Sequence, residues 1–202
     1  MIIGFHVILS AYGFWLPNDS RGSWSDFVGA WELFRFGRAT KTAERRSLAA
    51  KPHDVQARVQ AKHALRYRSV RFNGQQARAV GRGFAGFVKR SGLNVWACSI
   101  LPEHTHLVIG GHRYRIEQIA NLLKGAATRQ LVTEGIHPFG ALRQKFGRLP
   151  QTWARGLWKV FLGTPADVRR AVRYVGDNPA KESLPQQRWS FVTPFDAQRM
   201  GL

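Results

Sequence analysis

"LNVWACSILPEHTHLVIGG", residues 93–111, decides the fold. It reads as two strands joined at Leu101-Pro102-Glu103, because Pro102 has no N–H to continue the first ladder. Working outward, the stretch before it carries helix signals. Asn73 is suited to an N-cap, Ala77, Val80, Phe84, Phe87 and Val88 form a helical stripe, and Gly92 follows Lys89 and Arg90 as a C-terminal signal. The stretch after it, "RIEQIANLLKGAATRQLV", is a second amphipathic helix with Ile116, Ile119, Leu122 and Leu123 on one side. Ile3 to Ala11 alternates like a strand whose two faces are both mostly apolar, so it is expected at the centre of a sheet. "GLWKVFLG", residues 156–163, reads as a fourth strand.

A last helix, "TPADVRRAVRYVGDNP", has clear boundaries. Thr164 caps it, Pro165 suits its first position, Asp167 completes a capping box, and Pro179 is expected to stop it. The order strand, helix, strand, strand, helix, strand, helix matches an α+β, ferredoxin-like split βαβ plan with an antiparallel sheet, extended by a C-terminal helix that carries Tyr174. Residues 13–71 are irregular and basic, apart from a short helix signal in "DVQARVQAKHALRY". They read as a long insertion after the first strand of a single domain spanning residues 1–202. No internal repeat interrupts this reading, and the fold by itself settles no function.

Composition narrows the partners. Lys plus Arg number 31 against 12 Asp plus Glu, for a formal net charge of +19. Self-repulsion on that scale calls for a polyanion, and nucleic acid leads because Lys and Arg release counterions from a phosphate backbone. The positive charge is spread along the chain, not gathered in one basic amphipathic helix, which argues against a membrane surface. No apolar run is long enough to span a bilayer, and "MIIGFHVILSAYGFW" lacks the basic region and cleavage site of a secretory signal. Cys98 is the only cysteine, so no intrachain disulfide forms, and a small buried hydrophobe is its plain reading. A cytoplasmic setting close to DNA or RNA is expected.

The chemistry is expected at His104 and His106. At i and i+2 on a strand they share a face, with Thr105, Leu107 and Ile109 turned into the core. Two neutral imidazoles on one face are half of a metal site. His6, alone on its strand, reads as structural. A histidine-triad nucleotide-binding protein would need a histidine where Val108 stands, and a two-histidine phosphoesterase would need two separate His-x-Thr motifs. A metal-assisted nuclease needs a third ligand and a nucleophile from elsewhere. Tyr174 and Asn178, spaced i and i+4, stack on one helix face and could supply both. Taken alone, Tyr174 reads more plainly as a rim aromatic and Asn178 as a helix-end residue. The alternative tyrosines are Tyr12, which follows the first strand, Tyr67, which lies in the insertion, and Tyr114, which opens a helix.

"PEHTHLVI", "LLKGAATRQL", "LWKVFLG" and "YVGDNP", in that order, resemble the single-tyrosine HUH transposases that act on single-stranded DNA. The nearer likeness is to their REP-associated tyrosine transposase branch, whose Tyr-x-x-x-Asn pattern is matched by Tyr174 and Asn178. The resemblance covers roughly residues 1–12 and 73–182. It implies that His104, His106 and Asn178 hold one divalent cation, Mg²⁺ or Mn²⁺. It implies that Tyr174 attacks the scissile phosphate to give a 5′-phosphotyrosyl link and a free 3′-hydroxyl. The implied partner is single-stranded or hairpin DNA, with Lys124, Arg129, Arg169, Arg170 and Arg173 as phosphate contacts. Trp24, Trp31 and Phe34 are candidates for base stacking. Whether the tyrosine helix serves its own site or a partner's in a homodimer stays open, as does the identity of a general base. Thr105 departs from the bulky hydrophobe usual between the two histidines. The rival readings are a domesticated, non-catalytic DNA-binding relative and an RNA-binding protein on the same sheet.

Overall fold

The computed structural model describes residues 2–42, 44, 48, 50–142 and 147–198. Part of the insertion, at 43, 45–47 and 49, lies outside these described residues. Four strands, β1 (Gly4–Ser10), β2 (Val95–Ile100), β3 (His104–Gly110) and β4 (Trp158–Leu162), form one antiparallel sheet in the order β2-β3-β1-β4. This is the expected ferredoxin-like order, with β1 central. Among the described residues, four α-helices accompany it: α1 (Val55–His63), α2 (Gly74–Ser91), α3 (Ile116–Thr133) and α4 (Pro165–Lys181).

The two sheet faces carry different cores. Val7 and Leu9 of β1 and Leu107 and Ile109 of β3 face α2 and α3, where they pack with Val80, Phe84, Ile119 and Leu123. Helices α2 and α3 lie so close that a Cβ on Gly83 would stand 2.7 Å from the Ala126 carbonyl oxygen and from the Ala127 Cα. The opposite face receives α4, whose Val168, Ala171 and Val175 pack on Ile3, Trp96, Ala97, Val108 and Leu162.

Local signals explain the boundaries. Capping boxes start α2 (Asn73 with Gln76) and α4 (Thr164 with Asp167), and Gly92 ends α2 in the left-handed conformation at φ 69°. One boundary differs from expectation. Pro179 does not stop α4, which runs on to Lys181. The proline falls in the final turn, so its missing N–H costs one helical hydrogen bond near the end and breaks no interior ladder.

The C-terminal segment covers the free edge of β2. Gln187 brackets Ile100 with 2.8 Å bonds to its backbone N–H and carbonyl, and the Thr193 N–H donates to the Val95 carbonyl at 2.9 Å. An edge strand closed in this way offers little template for pairing with another chain.

The insertion is more ordered than its sequence suggests. Besides α1, capped by Asp54 as the helix signal predicts, it holds a 3-10 turn at Trp31–Phe36 and a small core of Leu16, Leu33 and Ala61. A buried Asp19–Arg21 ion pair at 2.7 Å and an Asn18 amide bond to the Leu33 carbonyl at 3.1 Å brace it from within. The Val70 N–H donates to the Tyr12 carbonyl at 2.8 Å, and Arg71 pairs with Glu103 at 3.0 Å, so both ends of the insertion meet the sheet.

Thr105 is fully buried behind the histidines, and its hydroxyl has no hydrogen-bond partner among the described residues. A buried unsatisfied polar group is costly, so Thr105→Val is expected to raise stability by roughly 1 kcal/mol. Urea unfolding checks this, and an equal or lower midpoint in the variant would contradict it.

Candidate active site

The β1–β3 pairing sets Ile8 opposite His106 and Ser10 opposite His104. Side-chain parity then puts His6, Ile8 and Ser10 on the same face as both histidines, the face that α4 crosses. His104 and His106 meet with ring centroids 4.8 Å apart. His6 joins them: its Nε2 lies 3.0 Å from His106 Nδ1, with the ring centroids 5.2 Å apart and the planes 23° from parallel. The expectation that His6 is merely structural overlooked this contact. The signal was parity, but it becomes readable only once β1 is known to pair with β3 and in which register.

Helix α4 brings Tyr174 to the cluster. Its ring centroid is 5.8 Å from that of His106 and 5.6 Å from that of His6. Tyr174 is 42% exposed and lines the open cleft above the histidines. Asn178, one turn further on, is buried at 5% exposure; its Oδ1 lies 3.5 Å from Lys181 Nζ, and its Nδ2 has no partner among the described residues. The Lys181 ammonium also sits 4.2 Å from the centre of the Tyr174 ring, a cation–π distance. Tyr174, Asn178 and Lys181 therefore form one helix stripe beside the three imidazoles.

Burial keeps these imidazoles uncharged. It lowers His6 and His104 to about 4. His106 is held well below the ordinary histidine value, first by burial and then by the neighbouring His104, His6 and Lys181. At neutral pH each imidazole therefore keeps one nitrogen lone pair able to accept a hydrogen bond or a metal, and one such pair is used in the His6–His106 contact. Among the described residues, no group of three or more His, Cys, Asp or Glu side chains is arranged to hold a metal ion. The ligand types gathered on this face include three imidazoles and the Asn178 amide, and the carboxylates of Asp167 and Glu182 also line the cleft above it.

A cleft of about 710 Å³ opens over the cluster. Arg170 and Lys181 line it from α4, Trp158 from β4, and Phe14, Trp15 and Arg58 from the insertion. The insertion thus contributes a wall of the site, which its irregular sequence did not reveal. Phe14 stacks flat on His104, with centroids 4.5 Å apart and planes 9° from parallel.

The expected phosphate contacts separate in space. Arg169, Arg170 and Arg173 are exposed on α4, with Arg170 also paired to Asp167. Arg129 is exposed on α3, on the far side of the sheet from the cleft. Lys124 corrects the expectation of a DNA contact. It is only 7% exposed, and its ammonium donates to the Ala154 carbonyl at 2.8 Å and to the Gly156 carbonyl, fastening α3 to the loop before β4. Burial lowers its pKa to about 8. Of the stacking candidates, Trp31 and Phe34 are exposed, whereas Trp24 is already stacked on Trp158 at 4.1 Å.

A family model for IS200-like transposases matches residues 56–178, more than half of the chain. The chain belongs to the IS200-like transposase family. The matched span runs from α1 through Asn178 and leaves out β1 and most of the insertion. Two solved structures are similar. A REP-associated tyrosine transposase bound to a REP hairpin shares 12% identity at a TM-score of 0.47, with 91% of this chain and 70% of that one covered. A candidate transposase from Deinococcus radiodurans shares 12% identity at a TM-score of 0.42, with 87% of this chain and 89% of that one covered. No curated protein matches the chain. Among the described residues, no helix of this transposase is long and apolar enough to cross a membrane.

The lowered histidine values make stability depend on pH. Between about pH 4 and 6.5 the unfolded chain binds more protons than the folded one, so stability falls as pH falls through that window. His137, also lowered by burial, adds the same sign. Thermal unfolding of this transposase is expected at a clearly lower temperature at pH 5 than at pH 7, before most carboxylates titrate. Equal midpoints would show that the imidazoles are not buried in the folded protein.

Proposed function

We propose that this transposase cuts and rejoins single-stranded DNA, including hairpin-forming strands, through a covalent link to Tyr174. The observation that carries this reading is the convergence of an accessible tyrosine, two neutral histidines and a buried amide in one open cleft. His104, His106 and Asn178 would hold one divalent cation, Mg²⁺ or Mn²⁺. The residues present suit such an ion. His104 Nδ1 and Asn178 Nδ2 are buried without partners, and a half-turn of the amide exchanges its NH₂ for its carbonyl oxygen. When bound, that ion polarises a non-bridging oxygen of the scissile phosphate and offsets its developing charge.

The remaining work falls to the chain itself. The Tyr174 hydroxyl attacks phosphorus, forming a new O–P bond to the 5′ side of the cut while the bond to the 3′ oxygen breaks. The phenol loses one proton to solvent, and the departing 3′ oxygen takes one up, so the step balances. The phosphotyrosyl link keeps the phosphodiester energy, and a 3′-hydroxyl attacking it reverses the chemistry and joins a strand end without a nucleotide cofactor. Lys181 and Arg170, both lining the cleft, supply positive charge beside the phosphate. Arg169 and Arg173 extend that charge along α4, and the exposed Trp31 and Phe34 of the insertion offer stacking surfaces to unpaired bases. Residues 1–202 act as one catalytic domain in this scheme, with residues 13–71 as part of its DNA wall. Because Tyr174 lies beside the histidines of its own chain, the scheme needs no second copy to complete the site.

Incubation with end-labelled single-stranded DNA and Mn²⁺, followed by denaturing electrophoresis, tests the proposal. A covalent protein–DNA adduct is expected. Tyr174→Phe should lower its formation by about three orders of magnitude or more while leaving DNA affinity nearly unchanged. Undiminished adduct in that variant would remove Tyr174 from the mechanism. A wild-type protein that binds the strand but forms no adduct would point to the domesticated, non-catalytic reading.

Replacing His104 and His106 together by Ala is expected to abolish Mn²⁺-dependent cleavage. Cleavage by that double variant at the wild-type rate would exclude the histidine pair as metal ligands.

A further inference from the structure

We infer that His6 is a positioning residue that holds His106 in its metal-binding tautomer, an inference that rests on the metal reading proposed above. His6 lies opposite Val108, and Ile8 lies opposite His106, so His6 and His106 are diagonal neighbours on one sheet face. Their facing atoms, His6 Nε2 and His106 Nδ1, are 3.0 Å apart, and their planes differ by 23°. Such a bond has one proton between two nitrogens. If it sits on His106 Nδ1, that atom donates to the His6 Nε2 lone pair, and His106 Nε2 is left bare to bind a cation. If it sits on His6 Nε2, a neutral His106 carries its own proton on Nε2 and cannot bind one there. The ligand role of His106 therefore requires His6 as the acceptor, with the His6 proton on Nδ1.

Two further observations separate this role from a direct ligand role and from plain packing. The nitrogen that His6 turns towards the cluster is already engaged with His106, and no three-membered His, Cys, Asp or Glu metal group exists among the described residues. The two proposed ligands are also held by different means. His104 is stacked under Phe14 and its Nδ1 has no partner, whereas the orientation of His106 is fixed by a ring-nitrogen bond. His6 in addition presents its ring to Tyr174 at an interplanar angle of 65°. One strand side chain thus touches both a ligand and the nucleophile, and it lies outside the span matched by the family model.

The test compares wild type with His6→Phe and His6→Gln. Gln can place an acceptor oxygen near the position of Nε2, while Phe keeps the ring and loses the acceptor. Long-range ¹H–¹⁵N correlation spectra of the metal-free proteins report the tautomer of His106. The wild type is expected to carry the proton on Nδ1, and His6→Phe to lose that preference. A His106 proton on Nε2 in the metal-free wild type would overturn the inference, and Mn²⁺ binding by that same protein would show that the metal reading stands without it.

Mn²⁺ affinity, followed by electron paramagnetic resonance, is the second readout. His6→Phe is expected to bind about 10–100-fold more weakly, and His6→Gln to recover most of the loss. Affinity within twofold of wild type in His6→Phe, or no recovery in His6→Gln while both variants keep the wild-type circular dichroism spectrum, would overturn the positioning role. Absence of Mn²⁺ binding by the wild type itself would overturn both this inference and the metal reading.

Discussion

The antiparallel pairing of the first strand with the third governs the rest of this molecule. Its register, Ile8 against His106 and Ser10 against His104, sends the even-numbered residues of β1 and the histidines of β3 to one side. A slip of one residue would turn His6 into the α2–α3 core and Val7 into the cleft. The apolar residues between them, Val7, Leu9, Leu107 and Ile109, are all fully buried on the other side, so the hydrophobic effect fixes the register that brings the histidines together. The site inherits its geometry from a core in which it takes no part.

Charge is divided in a similar way. The chain carries a net +19, yet the centre of the cleft is made of neutral imidazoles, an amide and a phenol. Cations stand around this centre, on α4 and on the insertion. A phosphate backbone would meet attractive charge at the rim and unprotonated nitrogen at the middle. Burial produces the second condition, because an imidazolium surrounded by protein loses more hydration than its neighbours return.

Much of this was legible in the sequence, and the failures have physical causes. The strands and helices were readable because Asn73, Gly92, Thr164 and Pro165 act through local backbone geometry. The histidine, tyrosine and asparagine positions were readable because periodicities of two and 3.6 residues are local too. His6 was not, since its meaning lies in a partner 100 positions away. Lys124 was misread because charge favours the surface only until two carbonyls are offered inside. Pro179 was misread because a proline's cost depends on how many turns follow it. The insertion hid its contribution because Phe14, Trp15 and Arg58 reach the cleft through an irregular path with no period to detect.

The flat contact between Phe14 and His104 has a consequence for how this chain can be altered. Segments inserted after a first strand are commonly trimmed or exchanged with little effect on what lies beneath. Here the second residue beyond the Ala11 bridge is a glycine at φ 79°, and the aromatic that follows it is the lid on an imidazole. Shortening the segment at its root would hydrate that ring and free it to rotate. The segment and the pocket are thus mechanically one part, and they can be remodelled only together.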